Sequence, residues 1–264
     1  MDNADKMDQM VSLNYKKAGE GPALIILHGL FGSLDNWATL ARTWANEFTV
    51  YQVDLRNHGK SPHTDTHTIP DMAADIIGFI RQHEITNPVL LGHSMGGKVA
   101  MEVALQEPPV IRGLIIADIG AQRYPRGHDY IFDAIRSIDL DEMSSRKEIE
   151  SKLSEFIENE GEVLFMSKNM DRTRDGFKWK INVDTLEQDY EEIIQSIDPG
   201  RVFNKPVLLL RGEKSHYVQS KDLDLLKEFF PRIRIEDIAG AGHWLHADNP
   251  EAFDEHVRKF MDQL

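Results

Sequence analysis

Ser94 is the first residue whose type and setting could do chemistry. It lies in the stretch PVLLGHSMGGKVA, Pro88 to Ala100, inside a Gly-x-Ser-x-Gly pattern. A strand-like apolar run precedes it and a helix-forming run follows. Small residues on either side let a chain bend sharply enough to hold the hydroxyl out of the backbone's way. A helix that starts just after the serine aims its free amides at the same spot, where an anion is stabilised. A serine is a poor nucleophile until a base takes its proton. Of the 11 histidines, His243 in AGAGHWLHADNPEAF is the best placed base. Gly240 and Gly242 make a loop there, after the apolar RIRIEDI and before a C-terminal helix. His246, three residues on, reads as a packed or solvated neighbour.

These side chains need a scaffold, and the chain supplies a regular one. Short apolar runs recur: ALIILHG, TVYQVDL, PVLLGHS, GLIIADI, KPVLLLRG and RIRIEDI. They are rich in Val, Ile and Leu and do not alternate with polar residues, as in strands buried on both faces. Helix-length segments separate several of them, such as PDMAADIIGFIRQHEI at 70–85. The alternation predicts an α/β fold, a mostly parallel sheet flanked by helices. Ser94 then falls beyond the carboxyl end of a strand, where open α/β sheets bind ligands. From 123 to 203 the rhythm breaks into charged, helical sequence with no clear buried strand. That region is expected to be an inserted helical cap, on a core made of 1–122 and 204–264.

Composition narrows the function. The chain has 264 residues, 41% of them hydrophobic, enough for one large domain with an inserted subdomain. With 30 Lys+Arg against 44 Asp+Glu the formal net charge is -14. Such a chain repels nucleic acid and anionic membrane surfaces. The longest apolar runs are a strand long, far short of the ~20 residues of a membrane helix. There is no cysteine, so disulfides, thiolate metal sites and a cysteine nucleophile are excluded. The acidic start MDNADKMDQM has no apolar signal region, and a cytoplasmic location is expected.

The blocks LIILHGLFGSLDNW, VDLRNHGKS, LLGHSMGG and GAGHWLHADNP resemble, in that order, those of the α/β-hydrolase superfamily. The similarity is greatest to small bacterial esterases of the YbfF type. The resemblance implies Ser94 as nucleophile and His243 as general base. It also implies an oxyanion hole formed by the amides of Met95 and Leu30, with Phe31 the near alternative to Leu30. His28 would buttress that loop, and Asp54, Arg56, His58 and Gly59 would be scaffold. The chain departs from the superfamily at the triad acid. Where an Asp is usual the sequence reads RGEKSHYV, with Ser215 at that position. Asp118, at the end of GLIIADI, is expected to serve instead, as in some haloalkane dehalogenases, and Glu213 is the alternative.

A serine at 94 favours acyl transfer on a small-molecule ester, thioester or amide, acyl-CoAs included, and needs no cofactor or metal. Cofactor-free peroxidase and carbon–carbon hydrolase chemistry use the same triad, and a ligand receptor on a hydrolase scaffold is the reading from another class. Phe31 and Trp179 are candidate substrate contacts, although Trp179 and Phe177 could simply pin the cap to the core. His58, His63, Asp65 and His67 are close in sequence but read as a polar loop rather than a metal site. The cap segment SKNMDRTRDGFKWK carries Lys168, Arg172, Arg174, Lys178 and Lys180, and is expected either to be solvated or to meet an anionic leaving group.

Overall fold

The computed structural model describes residues 10–264 apart from 175, 198 and 199. The six apolar runs form strands: β2 (Ala23–Leu27), β3 (Thr49–Val53), β4 (Val89–His93), β5 (Gly113–Ala117), β8 (Val207–Gly212) and β9 (Ile233–Ile238). The seventh strand of this sheet, β1 (Tyr15–Ala18), was not legible as a buried run, because it is a sheet edge with Lys16 and Lys17 facing solvent. The sheet order is β1-β3-β2-β4-β5-β8-β9; β1 pairs antiparallel and the other pairs are parallel.

Successive side chains of a strand point to opposite faces, and two separate cores result. Ile25, Leu27, Leu90, Leu114 and Ile116 enter one; Leu24, Ile26, Val89, Leu91 and Ile115 enter the other. The first core is covered by α2 (Ile69–Gln82) and α3 (Met95–Gln106), the second by α1 (Ala38–Trp44) and α11 (Pro250–Asp262). Helix α2 shows why the sequence folds this way. Ile69, Met72, Ala73, Ile76, Ile77 and Ile80 recur at helical spacing and are all buried. The Thr68 hydroxyl caps the helix by accepting from the Asp71 amide at 3.2 Å, and Pro70 suits its first turn. Each large side chain buried there is worth about 1.5–3 kcal/mol, and truncating Ile76 to Ala would cost about 2–5 kcal/mol.

Between β5 and β8 the chain leaves the sheet. This excursion contains α4 (Asp129–Arg136), α5 (Arg146–Leu153), α6 (Glu160–Ser167), the hairpin β6 (Met170–Arg172) and β7 (Phe177–Trp179), then α7 (Val183–Gln188) and α8 (Tyr190–Ile194). The segment VDTLEQDYEEIIQSI forms the last two of these helices, interrupted at Asp189, whose carboxylate accepts the His67 amide at 2.6 Å. After β8 come α9 (Leu223–Phe229), β9, α10 (Leu245–Asp248) and α11. Among the described residues no helix is long and apolar enough to cross a membrane.

Candidate active site

Ser94 follows β4 directly and precedes the first residue of α3. Its backbone has φ 53 and ψ -121, a strained conformation for a residue with a Cβ. Two glycines make the bend fit. A Cβ on Gly92 would lie 2.1 Å from the Gly96 carbonyl oxygen, and one on Gly96 would lie 2.5 Å from the carbonyl oxygens of Leu27 and His28. The pattern read in the sequence therefore has a steric cause. Asp118, at the end of the adjacent strand β5, also has positive φ, at 53. Positive φ at non-glycine residues costs about 1–3 kcal/mol each and collects at functional sites.

The structure brings Asp118 to His243. The imidazole Nδ1 donates to Asp118 Oδ2 at 2.7 Å. Asp118 is fully buried and its charge is answered by donors: Oδ1 accepts the Gly212 amide at 3.1 Å, and Oδ2 also accepts the Ser215 hydroxyl. Ser215, at the position where the resemblance led one to look for an acid, thus supports one. Glu213 goes elsewhere: its carboxylate accepts the Gly240 amide at 2.6 Å and ties down the loop that carries His243. That loop has two further restraints. His93 Nε2 donates to the His243 carbonyl at 2.8 Å, and the Tyr217 ring stacks on the imidazole at 3.7 Å and 12°. Neither His93 nor Tyr217 was singled out in the sequence. His93 was signalled only by lying inside the serine motif; Tyr217 carried no signal.

Ser94, His243, Leu30 and Phe31 line one cavity of about 1090 Å³, whose wall is completed by residues of the excursion between β5 and β8. The amides of Leu30 and Met95 donate to no other described residue, whereas that of Phe31 is engaged with His58 Nε2 at 3.2 Å. The geometry therefore separates the two candidates for the second amide and leaves Leu30 available. Phe31 instead presents its ring, packed edge-on against Phe132. Trp179 does not line the cavity; opposite Met170 in the β6–β7 hairpin, it is half-buried and packs against the core. Of the basic segment SKNMDRTRDGFKWK, Lys168 and Lys180 reach the cavity wall together with Arg146. Arg172, Arg174 and Lys178 are exposed and lie outside its lining.

The loop under Leu30 is held by neutral histidines. His28 Nδ1 donates to the Gly29 carbonyl at 2.8 Å and its Nε2 accepts the Leu55 amide at 3.0 Å. His58 accepts from Phe31, so its Nδ1 carries the proton, donated to the Arg56 carbonyl at 3.0 Å. Burial pushes both imidazoles below their ordinary pKa, and His67 beside them down to about 3. Asp54 accepts the amides of Leu34 and Lys60 at 2.8 and 2.9 Å. Arg56 forms a buried pair with Asp75 at 2.6 Å. His63 turns outward to the Lys180 carbonyl at 3.1 Å.

A carboxylate-oriented imidazole, a strained serine and the Leu30 amide on one cavity, with the Met95 amide next along the chain from the serine, are the parts needed for covalent acyl transfer. The chain is also similar to known proteins over most of its length. A family model described as alpha/beta hydrolase fold matches residues 22–250. The sn-1-specific diacylglycerol lipase ABHD11 of Xenopus laevis is 36% identical over 250 residues, covering 92% of this chain and 80% of the relative. Esterase YbfF of Escherichia coli is 35% identical over 240 residues, covering 90% of this chain and 92% of the relative. A solved structure described as a marine microorganism esterase superposes with a TM-score of 0.92 at 42% identity, covering 95% of this chain and 99% of that one.

Proposed function

The chain belongs to the α/β-hydrolase family, and on that premise we propose that it is a serine hydrolase of carboxylic esters, and of thioesters by the same steps. The observation that carries the reading is the 2.7 Å bond from His243 to buried Asp118 on the cavity that also holds Ser94. His243 Nε2 takes the proton of the Ser94 hydroxyl as Oγ attacks the acyl carbon. The oxyanion of the tetrahedral intermediate accepts from the Leu30 and Met95 amides; such preorganised donors are worth about 3–4 kcal/mol each. Collapse expels the alcohol or thiol, which receives the proton from His243, and leaves an acyl-enzyme on Ser94. Water, deprotonated by His243, then releases the acid and restores the serine. Asp118 keeps the proton on Nδ1, so that Nε2 is free to act as the base.

The excursion over 123–203 serves as the cap of this site, with Ile131, Leu164, Phe165 and Met166 giving the cavity an apolar wall suited to an acyl chain. The esterase and lipase names of the relatives agree with such a substrate. Lys168 and Lys180 favour anionic thioesters such as acyl-CoAs as a second substrate class. The cysteine-free sequence suits a cytoplasmic setting.

A panel of p-nitrophenyl esters and acyl-CoAs, with a fluorophosphonate probe followed by intact-mass analysis, tests the reading. We expect turnover of short-chain esters, one adduct located on Ser94, and a loss of several orders of magnitude in Ser94→Ala. Labelling at another residue, or full activity in the alanine variant, overturns it. Hydrolysis of esters alone removes the thioester part.

A further inference from the structure

Lys98 is on the first turn of α3, four residues after Ser94, and is 2% exposed. A buried ammonium is costly unless its donors are matched. Here they are: Nζ donates to the carbonyls of Gln122 at 3.1 Å and Ile194 at 3.2 Å, and to that of Gln195. An ammonium has three N–H bonds, and each has a partner. The Tyr124 ring lies 5.0 Å from it. The partners are carbonyl dipoles rather than a carboxylate, and burial pushes the group down to about 7.

The positions of the three carbonyls matter more than their number. Gln122 stands where the chain leaves the sheet for the cap, and Ile194 and Gln195 stand where it comes back, at the end of α8. The two passages are also joined to each other, Tyr124 amide to Ile194 carbonyl at 2.9 Å and Ile197 amide to Ala121 carbonyl at 2.8 Å. A single side chain on the helix behind Ser94 therefore grips both ends of the cap. The same neck reaches the imidazole. The Tyr124 hydroxyl donates to the Tyr217 carbonyl at 2.8 Å, and Gln122 Nε2 donates to it at 3.2 Å. Tyr217 is the residue whose ring stacks on His243.

We propose that Lys98 is a positioning residue: by gripping both ends of the cap it fixes, through Gln122, Tyr124 and Tyr217, the imidazole of His243 against Asp118. This rests on Ser94 and His243 acting as described under the proposed function. A ring held face to face with an imidazole limits its rotation, and small misplacements of a reacting group cost much of the rate.

The experiment uses Lys98→Met, which keeps the stem and removes the ammonium, Tyr124→Phe, which removes only the hydroxyl, and the double variant. The readouts are kcat and KM on a short neutral ester, melting temperature, and the downfield proton resonance of the His243–Asp118 hydrogen bond. We expect kcat to fall about tenfold in Lys98→Met with KM little changed, and the resonance to shift or broaden. The double variant should be no slower than the slower single variant, because both cuts fall on one chain of contacts. A changed melting temperature with normal kcat and resonance would show that Lys98 only braces the fold. Rate losses that multiply would overturn the shared chain. Should Lys98→Met not fold, Tyr124→Phe carries the same readouts. Full activity in Ser94→Ala strikes at the serine mechanism; an inactive Ser94→Ala beside a full-rate Lys98→Met strikes at this inference alone.

Discussion

Ser215 and His243 meet on the same atom, Oδ2 of Asp118. A carboxylate oxygen has two lone pairs, and both are used. The serine hydroxyl thus fixes the oxygen that in turn fixes the imidazole. Ser215→Ala removes one charge-assisted hydrogen bond from a fully buried acid. We expect kcat to fall about tenfold, equivalent to about 1.4 kcal/mol, with KM near its original value. Steady-state kinetics on a p-nitrophenyl ester measure this; an unchanged kcat would mean that the Gly212 amide alone holds the acid.

Asp118→Asn and Glu213→Gln separate the two carboxylates. Asn at 118 lets the imidazole adopt the wrong tautomer, and a change of this kind can cost about 10⁴ in kcat. The Glu213 carboxylate accepts the Gly240 amide and does not bond His243 among the described residues, so its variant should keep most of the rate and lose a little stability. Both are measured side by side on one substrate. The opposite ranking would make Glu213 the acid.

Gly96→Ala places a methyl 2.5 Å from two backbone carbonyl oxygens, neither of which can move without shifting β2. Overpacking of this kind costs about 1–3 kcal/mol. The start of α3, which carries the Met95 amide, has to move with it. Melting temperature and the rate of fluorophosphonate labelling should fall together. A variant that labels at the normal rate would show that the bend tolerates a side chain.

Acid should destabilise the fold through imidazoles that are buried, as His67 is, or half-buried on the cavity wall, as His128 and His246 are. Burial holds His67 at about 3 and His128 and His246 at about 4, against an ordinary 6.5. Between those values and 6.5 the unfolded chain binds more protons than the folded one, so stability drops as pH falls. The contribution is complete above 6.5 and is lost progressively toward pH 4 and below. Each group loses about 1.4 kcal/mol for every pH unit crossed in that window. His246→Gln should flatten the fall in melting temperature between pH 6 and 4. A variant with an unaltered slope would show that His246 is not among the groups responsible.

Much of this architecture is written locally in the sequence. Runs such as GLIIADI are apolar without alternation because both faces of β5 are covered, and the helical spacing from Ile69 to Ile80 marks a one-sided helix. The glycines around Ser94 are legible for the same reason: a bend that allows no Cβ leaves its mark at fixed spacing. Strand β1 escaped because an edge strand has little apolar signal.

The sequence by itself determined the parallel sheet, the serine in its sharp turn and the loop that carries His243, since each depends on neighbours a few residues away. Only the tertiary structure decided which partners meet. Asp118 and Glu213 both lie by the ends of adjacent strands, β5 and β8, and the sequence favoured Asp118 while keeping Glu213 as the alternative; the packing of the His243 loop sets Asp118 under Nδ1 and Glu213 on Gly240. Phe31 stood as the near alternative to Leu30 until the structure placed the His58 ring on the Phe31 amide. Trp179 was drawn into packing and Lys168 and Lys180 onto the cavity wall by the fold of the cap. Lys98 gained its three carbonyls from segments 24 to 97 residues away. Hydrogen bonds of a few ångströms between residues so far apart depend on the whole fold, and local pattern does not encode them.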